Sequence, residues 1–226
     1  MVLAVIAASV ALVLLRSTQI TLTTLLATTR LNHEVSYQAI GLVIAALFVL
    51  LARVLGGAGV LQFLRPHRFR GDVTPVRWMG IRPNKGEGWL QVGTNFLVII
   101  TLVTAVAVYL PVLRAGELRF SIGGVLLPAL AFAVVNSFTE EVIYRFAVTG
   151  VFLQNSLPAT SAAIASGVLF GGVHYFGTPG GVPGILLAGF LGWLLSKSIA
   201  ETRGFGWAWL IHFVQDVVIF IAILGT

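Results

Sequence analysis

The sequence contains no cysteine, which excludes a disulfide framework, a thiolate metal site and a thiol nucleophile. Charge is nearly as scarce. Asp, Glu, Lys and Arg make up 10% of the 226 residues, and only 8 are acidic. A soluble domain of this length carries far more. Familiar catalytic signatures are missing too. There is no GxSxG nucleophile elbow and no HExxH zinc-protease helix. The paired ExxH motifs of di-iron carboxylate bundles are also absent.

What fills the chain instead is hydrocarbon: 58% of the residues are hydrophobic and the mean hydropathy is +0.98. A helix needs roughly 20 apolar residues to cross a bilayer. Segments of about that length occur at 2–28, 35–55, 90–113, 121–149, 158–176, 182–198 and 207–224. They predict an all-α, polytopic transmembrane helix bundle of about seven helices (six to eight), forming a single membrane-embedded domain over 1–226. Arg16, Ser17 and Gln19 interrupt the first segment. Its opening, MVLAVIAASVALVLL, lacks a basic n-region and reads as a spanning helix rather than a cleaved signal peptide.

The formal net charge of +6 is concentrated in the 56–89 connection. There Arg65, Arg68, Arg70, Arg77, Arg82 and Lys85 stand against Asp72 and Glu87. The positive-inside rule makes this a basic cytoplasmic loop. The N-terminus and the 198–206 connection, with Lys197 and Arg203 at or beside it, fall on the same side. Arg114 and Arg119 fall on the opposite side. The excess reads as an orientation signal that meets anionic headgroups, and no nucleic-acid partner is expected. Trp78 and Trp89 are predicted interface anchors.

Glu34, Asp72, Glu87, Glu117 and Glu201 lie in or beside loops, as do His33 and His67. Glu140, Glu141, Asp216, His174 and His212 fall in apolar segments, where ionisable groups are costly and mark candidate functional sites. Glu141 and Arg145 are four apart, so they stack one helical turn apart and can neutralise each other. Glu140 is rotated by about 100° from Glu141. It has no basic partner in its own helix, which makes it a candidate general base. His174 closes a span in FGGVHYFGTPGGVPG, where glycines permit close helix approach or local unwinding. His212 and Asp216 are four apart on one helix face. Each of these groups alone also fits a packing role. Together, on three helices, they suit one cavity in which a carboxylate and an imidazole polarise a water for attack on an amide. A second imidazole would stabilise the oxyanion.

The order EEVIYR (140–145), FGGVH (170–174) and HFVQD (212–216) resembles the EExxxR, FxxxH and HxxxN/D motifs of the CPBP (ABI) family. These are intramembrane glutamate proteases that include the CAAX prenyl endopeptidases and bacteriocin-processing proteins. GFLGWLL (189–195) resembles the family's glycine-bearing helix, and the likeness covers a motif core of about 125–220. It implies an endopeptidase acting near the membrane surface without a cofactor. Glu140 and His174 would activate the water. His212 and Asp216 would form the oxyanion site, and Glu141 and Arg145 would organise the constellation. An ionised aspartate repels an oxyanion that asparagine could donate to, so Asp216 is expected to orient and charge His212 instead. The implied partners are a peptide or membrane-associated protein substrate and the lipid bilayer. The implied setting is a multi-pass protein of a bacterial cytoplasmic membrane. Two other readings use the same residues. In one, Glu140, His174 and His212 are zinc ligands. In the other, the protein is a catalytically silent binding or proton-coupled membrane protein.

Overall fold

The computed structural model describes every residue except 19, 27, 117, 118 and 120, so Gln19 and Glu117 lie outside the described residues. Among the described residues seven long helical rods follow one another. They are α1 (Val2–Thr18), α2 (Thr29–Gly56), α3 (Trp89–Ala115), α4 (Ile122–Gln154), α5 (Ala159–Val173), α6 (Gly181–Thr202) and α7 (Gly206–Gly225). Rod α4 runs continuously through two π turns, Ile122–Leu126 and Val142–Phe146. Among the described residues the only β pairing is a pair of isolated bridges, Asp72 with Gly88 and Val76 with Ile81.

Rods α2, α3, α4, α6 and α7 are long and apolar enough to cross a membrane. Rods α1 and α5, with 17 and 15 residues, are shorter. At about 1.5 Å per residue they reach roughly 22–25 Å, less than the ~30 Å hydrocarbon core. The predicted first span over 2–28 is therefore corrected: its helix ends at Thr18. Thr28 then starts the next helix by accepting the Leu31 amide on its hydroxyl at 3.2 Å. The intervening chain is clipped to the side of α2. The Leu22 amide donates to Ser36 Oγ at 2.7 Å, and the Leu26 amide donates to Asn32 Oδ1 at 2.9 Å. Because α2 begins at Thr29 rather than 35, His33 and Glu34 belong to a helix and are buried. Arg16 grips Glu34 through two bonds of 3.1 and 2.7 Å, which compensates the buried carboxylate.

The basic connection is fastened to the bundle. The Phe205 amide donates to the Arg65 carbonyl at 2.9 Å. The Trp207 indole donates to the Phe69 carbonyl at 2.8 Å, with the two rings edge to face at 5.2 Å. Trp78 is 81% exposed, as an interface anchor would be. Trp89 is not an anchor: it is fully buried, and its indole donates to Glu201 at 2.8 Å. A buried indole N–H needs an acceptor, and Glu201, which also pairs with Lys197, supplies it.

Rods α5 and α6 approach backbone to backbone. A Cβ on Gly171 would stand 2.7 Å from the Ile185 carbonyl oxygen, and one on Gly167 would stand 2.9 Å from that of Gly189. Small residues four apart are what lets helices come this close in a bilayer. This contact fixes the end of α5 that carries His174.

Candidate active site

The site is built on α4. A π turn begins directly after Glu141, and such bulges are frequent at functional positions. Across it, Arg145 Nη1 stands 3.0 Å from Glu141 Oε1, and both side chains are fully buried. The Arg145 guanidinium lies 3.5 Å over the Phe170 ring, a cation–π contact that gives a buried cation a second source of stabilisation. The same ring lies 4.1 Å from the His174 imidazole and 5.5 Å from that of His212. Phe170 thus ties the arginine of one motif to the histidines of the other two.

His212 stands among carboxylates. Its Nδ1 donates to Glu141 Oε1 at 2.7 Å. Its Nε2 faces Asp216 Oδ1 at 3.4 Å and Glu140 Oε2 at 3.5 Å. With acceptors on both sides, a ring carrying protons on both nitrogens fits this environment best. His174 is arranged differently. Its Nδ1 bonds the Phe170 carbonyl at 2.8 Å. A carbonyl only accepts, so Nδ1 carries the proton and the Nε2 lone pair is left as an acceptor.

A cavity of about 330 Å³ is lined by Glu140, His174 and Asp216, together with Asn136, Tyr144 and Arg16. His212 is 3% exposed and lies behind Glu140 and Asp216. The Glu140 side chain is 17% exposed, while its Oε2 is buried and makes no hydrogen bond among the described residues. A buried acceptor without a partner is uncommon and calls for an explanation. This oxygen faces His212 Nε2 at 3.5 Å, while the exposed part of the side chain borders the cavity.

Two contributions escaped the sequence reading. Asn136 Nδ2 donates to Asp216 Oδ2 at 3.1 Å, and its Oδ1 accepts from Gln38 Nε2 at 3.4 Å. The signal for it was the i,i+4 spacing that places Asn136 on the face of Glu140. The other contribution comes from α1 and α2. Ser9 bonds the Tyr144 hydroxyl at 2.9 Å, and Arg16 lies 4.8 Å from the Tyr37 ring, so the N-terminal helices form a wall of the cavity. Nothing in their apolar pattern marks this.

No group of three His, Cys, Asp or Glu residues among those described is placed to hold a metal ion. His212 turns both nitrogens to carboxylates, whereas His174 keeps its Nε2 free.

Residues 122–218 match the family model described as Rce1-like, type II CAAX prenyl endopeptidase. Over these residues the chain is similar to that family. The Rce1-like region takes in every motif residue of the site, from Glu140 through Asp216, and excludes α1, α2 and the basic connection. No curated protein and no solved structure matches the chain. The five long apolar helices and this likeness support an integral, multi-pass membrane protein and, in general terms, an intramembrane endopeptidase of CAAX type.

Proposed function

We propose that the protein hydrolyses a peptide bond with a water activated by Glu140 and His174. The observation that carries this reading is that both side chains line one cavity, where the Glu140 side chain is 17% exposed and His174 keeps an unprotonated ring nitrogen. Glu140 takes a proton from the water as its oxygen attacks the amide carbon. It then returns the proton to the departing amine as the C–N bond breaks. His212, charged between Glu141 and Asp216, supplies positive charge behind the oxyanion, and the Asn136 amide is the nearby neutral donor. Glu141 and Arg145 hold His212 and Phe170 in place. The family description points to a prenylated C-terminal peptide as the first substrate to try. The N-terminal helices complete the cavity, so 1–226 works as one domain, and a bacterial cytoplasmic membrane is the setting we assign.

The test is cleavage of a farnesylated CAAX peptide by detergent-purified protein, wild type against Glu140→Gln. Position 216 can be examined in the same assay. Asp216→Asn is expected to keep activity within roughly tenfold of wild type, because Glu141 still holds His212 Nδ1 and one hydrogen bond is exchanged for another. Complete loss of turnover would mean that the Asp216 charge is indispensable.

A further inference from the structure

The two ends of the bundle differ in charge, and the cavity belongs to one of them. At one end lie the six basic residues Arg65, Arg68, Arg70, Arg77, Arg82 and Lys85. Their connection is pinned to the α6–α7 turn through Phe205 and Trp207, which brings Arg203 to the same end. The 155–158 turn joins them there, because Asn155 donates to the Leu55 carbonyl at 3.1 Å. The opposite end holds the α1–α2, α3–α4 and α5–α6 connections and the C-terminus. Arg30 bonds the Ile223 carbonyl at 2.7 Å, and the Arg119 amide bonds that of Gly225 at 2.8 Å. Of the cations at that end Arg16 is paired with Glu34, which leaves Arg30, Arg114 and Arg119, half as many as the six in the basic connection.

The cavity runs from Ser9 and Tyr144 toward Ser17, Gly177, Thr178 and Ile223, so its mouth lies at the less basic end. Short connections rich in Lys and Arg stay in the cytoplasm. The exposed Trp78 beside the arginines suits the same interface. From these observations we infer that the cavity opens on the non-cytoplasmic face of the membrane. It therefore receives a peptide segment presented from outside the cytoplasm, such as the outer-leaflet end of a membrane-anchored or exported protein. This rests on the proposed peptidase reading for its substrate, while the orientation itself does not.

The chain's lack of cysteine makes the test direct. Single variants Lys85→Cys, in the basic connection, and Thr226→Cys, at the opposite end, are expressed in bacterial cells and exposed to a membrane-impermeant maleimide, before and after permeabilisation. A third variant, Thr178→Cys, reports the mouth itself. Thr226→Cys and Thr178→Cys are expected to label equally in both conditions. Lys85→Cys is expected to gain at least tenfold on permeabilisation. The reverse pattern, or labelling of all three in intact cells, overturns the inference. A cavity variant that does not accumulate leaves the decision to Lys85 and Thr226, which lie away from it. Cleavage in detergent does not depend on sidedness. An active protein with reversed labelling thus rejects the orientation alone, and an inactive protein with the expected labelling rejects the peptidase reading alone.

Discussion

Replacing Glu140 by glutamine is expected to lower cleavage of a farnesylated CAAX peptide by about 10³-fold or more, within the range that general-base catalysis contributes. Glutamine keeps the size and shape of the side chain and removes only the ability to take a proton. The fold should tolerate this. Glu140 Oε2 has no hydrogen-bond partner among the described residues, and its nearest charged neighbour, His212 Nε2, stands at 3.5 Å and also faces Asp216. Thermal unfolding in detergent should therefore be unchanged or slightly raised, since a partly buried carboxylate is exchanged for a neutral amide. A variant that melts like wild type and cleaves like wild type would remove Glu140 from the chemistry.

The largest stability effect is expected at Arg145. Glu141 is its ion-pair partner among the described residues, both groups are fully buried, and the guanidinium covers the Phe170 ring. Arg145→Met fills similar volume but leaves Glu141 to His212 alone. Breaking a buried pair from one side costs about 3–5 kcal/mol. Arg145→Lys should recover only part of this, because a compact ammonium cannot both stack and pair as the planar group does. Chemical or thermal unfolding of the purified variants measures the loss. An unfolding midpoint equal to wild type for Arg145→Met would show that neither the pair with Glu141 nor the contact with Phe170 on α5 stabilises the bundle. Activity should fall with stability here, because Phe170 positions both histidines.

The sequence carried the helical architecture and the motif residues clearly, because both depend on local rules. Apolar runs long enough to span give helices, and i,i+4 spacing gave the Glu141–Arg145 and His212–Asp216 contacts. It was silent where long-range packing decides. Thr28 starts α2 at Thr29, which makes Glu34, a loop acid by sequence, the buried helical partner of Arg16. Trp89 was taken for an interface residue, since nothing local announces Glu201 as its acceptor. The expected pairing of His212 with Asp216 is present, but its closest bond is to Glu141 on another helix. The glycine contacts between α5 and α6 and the π turn after Glu141 cannot be read from hydropathy either.

The claim that a glutamate-activated water does the chemistry is tested most directly by the metal-depleted protein. Wild type is stripped with a chelator, its metal content is checked, and the farnesylated peptide is incubated with it and with Glu140→Gln. The products are then identified by mass. The account predicts undiminished release of the C-terminal fragment by the stripped wild type and none by the variant. Loss of cleavage on stripping, restored by added zinc, would contradict it.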